Sequence, residues 1–257
     1  MKILVVTQYF WPENFRINDL VEGLASYGHE VTILTGIPNY PKGKVFPEFN
    51  REIHVIDEID IPRNWVKFRA CDYGYGSYTG VLWFAVAPDE QVIVYREMYV
   101  SKVTASDLAD LILDAEARDG TMRYGVLDSS LWHNRGDTGP SLAEQMNMKG
   151  CRWRPSDRSR GSRVAGKNEI HRRLQIDEFT EEARLVFFNT CRNIISELPS
   201  LPLDKNNLED VDTKSPIDHG YDALRYGLMT RPRSSLWDYD PSTQRSGFQM
   251  SDPTFGY

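Results

Sequence analysis

The sequence lacks cysteine pairs, long apolar segments and an overall positive charge. Its three cysteines are far apart and form no CxxC motif, which excludes a disulfide framework and predicts a protein of the reducing cytoplasm. No segment approaches the roughly 18 apolar residues of a membrane span, and the apolar run after Met1 is too short for a signal peptide. We therefore expect a cytoplasmic protein with no membrane contact.

What is present is the composition of an ordinary globular protein, with 257 residues, 40% hydrophobic and 26% charged, enough for one large domain or two small ones. The net charge of −7 hides an asymmetry. Residues 149–173, called the basic tract below, hold nine basic and two acidic residues, a net +7 against −14 for the rest of the chain. A basic tract on an acidic body is typical of a protein that holds a polyanion on one face.

The first 36 residues form a self-contained pattern. Two apolar strands, "KILVVTQYF" and "VTILTG", flank an amphipathic helix, "NFRINDLVEGLASYGHE", which Gly28 ends. This order predicts a βαβ unit. The Pro- and Gly-rich stretch "IPNYPKG" then marks a candidate domain boundary.

A second pattern begins near Val45 and alternates strands with helices. The predicted strands are "REIHVID", "WVKFRACD", "TGVLWFAVA", "EQVIVYREMYV", "MRYGVLD", "CRWRPS" and "RLVFF". The predicted helices are "TASDLADLILDAEARDG", "SLAEQMNMKG", "KNEIHRRLQ", "NTCRNIISELPSL" and "SPIDHGYDALRYGLMTRP". This order predicts a mixed α/β sheet flanked by helices, and residues 233–257, rich in Ser, Asp, Pro and Gln, predict a flexible C-terminal tail.

Three aspartates stand at the ends of these elements. Asp72 follows "WVKFRAC", the first strand of a set of four, Asp128 follows "MRYGVL", the fourth, and Asp222 lies on the last long helix. They meet if those two strands are neighbours and the helix crosses their ends. Carboxylates are the ligands that Mg²⁺ prefers, and two such ions roughly 4 Å apart can promote phosphodiester hydrolysis. Asp218 lies on the same helical face as Asp222, and His219 is also within reach of it.

Each feature has a simpler interpretation. Asp72 could form a turn, Asp128 could cap a helix, and Asp222 could pair with Arg225 on a helix surface. The basic tract could be a solvated loop. Taken together, the three aspartates favour the metal site, because both strand-end aspartates directly follow apolar residues of a predicted buried strand, and a carboxylate at the rim of a buried sheet needs a partner.

From about Val45 onward the sequence resembles the C-terminal nuclease domain of the large terminase subunit of tailed bacteriophages. The stretches that carry the resemblance are "FPEFNREIHV", "RACDYGYG", "YGVLDSSLW", "SDRSRGSRVAGKNEIHRRL", "LPSLPLDKNNLEDVDT" and "DHGYDALRYGLMTRP". The resemblance implies an RNase H-like fold and endonucleolytic cutting of concatemeric double-stranded DNA during head packaging.

The resemblance also implies site residues and partners. Two ions, Mg²⁺ or Mn²⁺, would be held by Asp72, Asp128 and Asp222, with His219 as a further catalytic residue and Asp218 as an auxiliary metal ligand. No other cofactor is expected. The implied partners are double-stranded DNA, the phage portal protein and the small terminase subunit, in the host cell cytoplasm. The DNA phosphates would contact the basic tract through Arg152, Arg154, Arg158, Arg160, Arg163, Lys167, Arg172 and Arg173.

One motif within the basic tract is misleading. "GSRVAGKN" nearly matches the phosphate loop GxxxxGK[ST], but Asn168 stands where a Ser or Thr would bind magnesium, and no buried strand precedes Gly161. We therefore expect no ATP site. Large terminase subunits also carry an N-terminal packaging ATPase, and without a Walker A motif this chain is not expected to act as a packaging motor.

Residues 1–43 resemble a different family, the opening βαβ unit of GT-B fold glycosyltransferases, over "MKILVVTQYFWPENFRINDLVEGLASYGHEVTILTGIPNYPKG". The predicted organisation is a glycosyltransferase-like fragment (1–43), a nuclease domain (44–232) and a tail (233–257). A catalytically inert fragment is expected, since the donor-binding half of such an enzyme has no counterpart here. The alternatives to a nuclease are a fragment that uses a nucleotide-sugar donor and a non-catalytic module that binds DNA or the portal.

Overall fold

The structure is a computed structural model that describes residues 2–7, 16–35, 45–133, 139–177, 180–204, 211–212 and 218–230. The predicted boundary between residues 43 and 44 and the predicted tail, 233–257, lie outside the described residues. Within the described ranges, every helix is too short or too polar to cross a membrane.

The N-terminal residues form a strand–helix–strand unit, as predicted. Strand β1 (Lys2–Thr7) pairs in parallel with β2 (Glu30–Thr35), and helix α1 (Arg16–Ser26) connects them. Gly28 follows the helix with φ 81°, a left-handed conformation that glycine adopts without a Cβ clash. These two strands form a sheet of their own.

The second sheet has seven strands, and two of them lead to the predicted strand-end aspartates, Asp72 and Asp128. Its strands are β3 (Val55–Ile56), β4 (Val66–Asp72), β5 (Tyr78–Val86), β6 (Val92–Ser101), β7 (Met122–Leu127), β8 (Arg154–Pro155) and β9 (Leu185–Phe188). The spatial order is β3-β9-β6-β5-β4-β7-β8. Strands β4, β5 and β6 are antiparallel, whereas β7 runs parallel to both β4 and β8. The condition under which Asp72 and Asp128 could meet is fulfilled, since the first and fourth strands, β4 and β7, are neighbours.

Six helices and two short 3-10 turns accompany this sheet in the described residues. They are α2 (Arg51–His54), α3 (Ala105–Glu116), α4 (Leu142–Met148), α5 (Ser162–Leu174), α6 (Arg192–Glu197) and α7 (His219–Met229), with 3-10 turns at Ser129–Trp132 and Leu198–Ser200. The predicted mixed sheet flanked by helices is confirmed.

The stretch "REIHVID" differs from its prediction as a single strand. Its first four residues form helix α2, because the Asn50 side chain accepts a hydrogen bond from the N–H of Glu52 and caps the turn. His54 ends the helix and is buried, with Nε2 bonded to the carbonyl oxygen of Leu174 at 2.9 Å. Only Val55 and Ile56 pair with β9. A distant backbone contact therefore outweighs the local β-propensity.

The two faces of the seven-stranded sheet carry different helices. Helix α7 lies so close to one face that a Cβ on Gly227 would come within 2.6 Å of the Phe84 ring. On the other face, Trp83 Nε1 donates to the carboxylate of Glu116, the last residue of α3, at 2.7 Å. Adjacent residues of β5 thus face opposite layers. The core includes the stacked rings of Phe68 and Phe84, whose centroids are 4.7 Å apart.

Candidate functional site

Three aspartates from distant parts of the sequence line one cavity of about 520 Å³. Asp72 ends β4, Asp128 follows β7 directly, and Asp222 lies in the first turn of α7. Because β4, β7 and β8 run parallel, their carboxyl ends meet at one edge of the sheet. The structure thus brings together the three aspartates that the sequence singled out.

Asp72 is joined to His219, the first residue of α7. His219 Nδ1 lies 2.7 Å from Asp72 Oδ2, and both side chains are mostly buried. This bond raises the pKa of His219. Burial raises the pKa of Asp72, and the charges of Asp222 and Asp128 raise it further, while the bond from His219 acts in the opposite direction. Asp72 is thus a carboxyl group whose negative charge a nearby cation would stabilise.

Asp128 also has the capping role that was its simpler interpretation. Its Oδ1 accepts the N–H of Ser130 at 3.0 Å, and its Oδ2 accepts the Ser130 hydroxyl at 2.8 Å. These bonds begin the 3-10 turn at Ser129–Trp132 and fix the carboxylate at the cavity wall. Capping and ligand binding are compatible, since each carboxylate oxygen has two lone pairs.

Asp222 is paired with arginine, as its simpler interpretation held, but the pair is not on the surface. Arg225 donates from Nε and from a terminal nitrogen to Asp222 Oδ1, at 3.0 and 2.8 Å, and its side chain is only 4% exposed. Arg163 of α5 lies 4.0 Å from the same oxygen. The hydrogen bonds to Asp72 and Asp222 engage one oxygen of each carboxylate, which leaves the second oxygen for another ligand.

Asp218 occupies the N-cap position of α7 without forming a side-chain cap, and it is not among the residues that line the cavity. Burial, with the charge of Asp222 in second place, raises its pKa to about 6. In the described part of the chain, no three His, Cys, Asp or Glu side chains lie close enough together to form a compact metal cluster. The aspartates share a cavity, and their positions as metal ligands stay a prediction.

The basic tract divides into exposed and buried parts. Arg158 and Arg163 line the cavity, and the exposed arginines elsewhere in the tract are Arg152, Arg154, Arg160 and Arg172. Arg154 stacks on the Tyr124 ring, 3.5 Å from its centroid, and donates to the carbonyl oxygen of Thr230.

The fold buries two members of the predicted DNA-contact set, whose contact with DNA stays a prediction. Lys167 and Arg173 are 8% and 3% exposed, and Arg173 Nε donates to Glu169 at 2.6 Å. Both lie on the inner face of α5, which the charge count could not distinguish from its outer face. The near-match to a phosphate loop is part of the same helix, since α5 begins at Ser162.

The cavity also has lining residues that the sequence did not single out. They are Ser156, Asp157, Ser159, Gly161, Ser162, Val164 and Tyr226. Most belong to the segment after β8, which reaches the site because Pro155 pairs with Leu127 at the end of β7. A strand of two residues leaves little periodicity in the sequence, so the only available signal was the position of this segment in the basic tract.

Comparison with known proteins connects this architecture to one group of solved structures. No protein-family model and no curated protein matches the sequence. The nuclease domain of the P22 large terminase aligns with a TM-score of 0.58 and 20% identity, over 73% of this chain and 92% of that domain. The fold is that of a large terminase nuclease domain. The predicted resemblance is confirmed at the level of fold.

Two further terminase structures have the same fold. The large terminase of a thermophilic bacteriophage, in complex with ADP, aligns with a TM-score of 0.61 and 14% identity over 88% of this chain, which spans 60% of that protein. The large terminase nuclease of thermophilic phage G20c, crystallised with bound zinc, aligns with a TM-score of 0.50 and 14% identity, over 74% of this chain and all of that one. The glycosyltransferase resemblance of residues 1–43 is untested by these terminase structures and stays a prediction.

Proposed function

We propose that this protein is a divalent-metal-dependent endonuclease that cuts double-stranded DNA during phage DNA packaging. The observation that carries the proposal is the convergence of Asp72, Asp128 and Asp222 on one cavity in a terminase nuclease fold. The chemistry of the donor set suits a hard divalent cation, since all three donors are carboxylates that line one cavity. Mg²⁺ or Mn²⁺ is the proposed metal, with two ions at the site.

In this proposal the three aspartates hold the ions, and the protein's other residues orient them. Two bound ions would supply an activated water and stabilise the leaving oxygen of the phosphodiester. His219 holds Asp72 in one orientation through the bond to Oδ2. Arg225 holds Asp222 and neutralises part of the negative charge that the three carboxylates concentrate. Asp218, at the N-cap position of α7 beside His219, is an auxiliary metal ligand in this scheme.

The exposed members of the basic tract are the proposed DNA surface. Arg158 and Arg163 stand at the cavity, where a scissile phosphate would lie, and the other exposed arginines proposed to contact DNA are Arg152, Arg154, Arg160 and Arg172. Contacts of this kind position the duplex without reading its sequence, and they weaken steeply with salt. We also propose that the protein's packaging partners are the portal protein and the small terminase subunit. The proposed compartment is the host cytoplasm.

The direct test is cleavage of supercoiled plasmid with Mg²⁺ or Mn²⁺, with and without a chelator. We expect nicked and linear products that the chelator abolishes. Asp128→Asn keeps an oxygen that accepts the Ser130 N–H but removes the negative charge, so it should abolish cutting. Asp114→Asn, an exposed carboxylate on α3, is the matched control and should cut at the wild-type rate.

Three results would contradict the proposal. Cleavage that persists in chelator would reject the metal mechanism. Salt-sensitive duplex binding without cleavage under any metal condition would identify a non-catalytic module instead. Heat released on titration with a nucleotide-sugar would favour the glycosyltransferase alternative, for which we expect no signal.

A further inference from the structure

The first turn of helix α7 is held from two sides across a row of three strands. Asp72 of β4 stands opposite Gly80 of β5, and Gly80 stands opposite Tyr99 of β6. Directly opposite residues point to the same face of a sheet. At one end of this row Asp72 bonds to His219, and at the other end Tyr99 bonds to Glu197. The turn that begins α7 lies between them.

Gly80 and Gly220 allow the helix to approach this closely. A Cβ on Gly80 would lie 3.0 Å from the carbonyl oxygen of His219. A Cβ on Gly220 would overlap the hydroxyl of Tyr99 and come within 2.6 Å of Glu197 Oε2. The backbone of α7 therefore rests directly on β5 and against the Tyr99–Glu197 pair, so a small displacement of that pair would move the turn.

Glu197 supplies the cap that Asp218 does not. The first backbone N–H groups of a helix have no partner within the helix, and Asp218, at the N-cap position, makes no side-chain cap. Glu197, 7% exposed at the end of α6, accepts the N–H of Tyr221 through Oε1 at 2.6 Å, and the N–H of Gly220 also donates to it. Its Oε2 accepts the Tyr99 hydroxyl at 2.9 Å. A buried acid from another element thus fixes two consecutive amides of α7.

We infer that Glu197, supported by Tyr99, is a positioning residue for the candidate active site: it sets the orientation of the first turn of α7, and through it the places of His219 and Asp222 relative to Asp72. This inference rests on the proposed function. The two amides that Glu197 holds belong to Gly220 and Tyr221, which lie between His219 and Asp222 in sequence. Fixing the middle of the turn fixes both neighbours, because the helical backbone between them is rigid.

Glutamine is the conservative replacement for this role. Burial raises the pKa of Glu197 to about 8, while its bonds from Tyr221 and Tyr99 act in the opposite direction. Gln has the shape of the protonated acid and keeps an oxygen that accepts the backbone N–H groups. Glu197→Ala removes the acceptor entirely, and Tyr99→Phe removes only the hydroxyl. Glu182→Ala, an exposed glutamate before β9, is the matched control.

The test combines hydrogen exchange with Mn²⁺ titration on the full chain. In Glu197→Ala we expect amide exchange at residues 220 and 221 to accelerate about tenfold or more, since their acceptor is lost. We also expect Mn²⁺ affinity, followed by electron paramagnetic resonance, to fall about tenfold, as for other residues that orient metal ligands. Glu197→Gln should recover most of both losses, Tyr99→Phe should show a smaller loss of each, and Glu182→Ala should match the wild type.

Unchanged exchange at residues 220 and 221 in Glu197→Ala would overturn the inference. Faster exchange with wild-type Mn²⁺ affinity would also overturn it, because Glu197 would then be a helix cap with no effect on the site. If Glu197→Ala does not fold, the same two measurements on Glu197→Gln and Tyr99→Phe decide, with wild-type behaviour of both contradicting the role. A wild-type protein that neither binds Mn²⁺ nor cuts plasmid would refute the proposed function, while the exchange rates alone would still decide whether Glu197 fixes α7.

Discussion

The two faces of the seven-stranded sheet both bury charged side chains, but they balance the charges differently. On the α3 face, Arg69 donates to both oxygens of Glu116, each at 2.9 Å, and Trp83 donates to the same carboxylate. Next to this group, Arg96 donates to Asp119. Each buried carboxylate on this face has an arginine as its direct partner.

On the α7 face, Asp222 also has an arginine partner, Arg225, but Asp72 is bonded to a histidine and stands near two other aspartates. Burial raises the pKa of Asp72 as it raises that of Glu116, but the neighbours differ. The charge of Arg69 lowers the pKa of Glu116, whereas the charges of Asp222 and Asp128 add to the rise at Asp72. An arginine pair compensates a buried carboxylate within the scaffold, whereas a carboxyl near other acids gains further stabilisation from a cation bound from outside.

The largest expected effect is on the rate of DNA cleavage, from a substitution on the α7 face. Asp72→Asn removes a charge but keeps an oxygen for the bond from His219, so the fold should persist while metal binding fails. We expect the rate of plasmid cleavage in Mn²⁺ to fall about a hundredfold to a thousandfold, in the range that loss of one group stabilising the transition state produces. Unfolding in urea should change by less than about 1 kcal/mol. A variant that cuts like the wild type would show that Asp72 holds no catalytic ion.

A substitution on the α3 face should instead lower the stability of the protein. Arg69→Met leaves Glu116 buried without its cation, so we expect a loss of about 3–5 kcal/mol in the free energy of unfolding, measured in urea. The double variant Arg69→Met, Glu116→Leu should recover much of that loss, because no unpaired charge is left. If the double variant were no more stable than the single one, the arginine would contribute by packing, for example over the Trp153 ring 4.5 Å away, rather than by charge.

The stabilisation by Mg²⁺ should depend on pH because of the carboxyl groups on the α7 face. Burial raises the pKa of Asp72, and that of Asp218 to about 6 from 3.8. A carboxyl whose pKa is higher in the folded state contributes stability that is full below the ordinary pKa and is lost as pH rises through the folded value. Divalent cations bind the ionised form. We therefore expect Mg²⁺ to raise the melting temperature more at pH 8 than at about pH 5.5, as measured by calorimetry.

Asp218→Asn is the variant that sharpens this pH test. It should raise the metal-free melting temperature at pH 8 and reduce the stabilisation by Mg²⁺, because one source of repulsion is gone. An equal Mg²⁺ effect at the two pH values in the wild type would mean that the carboxyls near the cavity are fully ionised throughout this range.

The smallest expected effect tests which basic residues reach DNA. Arg158→Ala should reduce the slope of log affinity against log salt by about 0.9, the contribution of one phosphate contact to a duplex. Lys167→Met should leave the slope unchanged, because that side chain is buried. Fluorescence anisotropy of a labelled duplex in chelator measures both without cleavage. Equal changes in the two variants would contradict the division of the basic tract into exposed and buried parts.

The sequence predicted much of the sheet, because its strands carry strong local signals. The apolar runs before Asp72 and Asp128 and the hairpin of β5 and β6 all lie in the predicted places. Helix α3 was equally clear, since Thr104 caps it with a bond from the N–H of Asp107. Where the apolar periodicity and the capping residue indicate the same helix, the local sequence is sufficient to predict it.

The sequence failed where a contact with a distant residue decides the structure. Helix α2 replaces part of a predicted strand, with His54 bonded to Leu174. Lys167 and Arg173 turn inward, although the sequence around them reads as one basic surface. Glu197 carried no signal at all, because its partners, Tyr99 and the first turn of α7, are far away in the chain.

The sequence by itself determined which residues could do chemistry: acids after two apolar strands, an acid and a histidine at the start of a helix, and one basic tract. Only the tertiary structure decided which of them meet. The parallel pairing of β4 with β7 brings Asp72 and Asp128 to one edge of the sheet, and the close packing of α7 on Gly80 brings Asp222 to the same cavity. The reason is physical: residue type follows from the local sequence, whereas the distance between two carboxylates depends on every strand and helix packed between them.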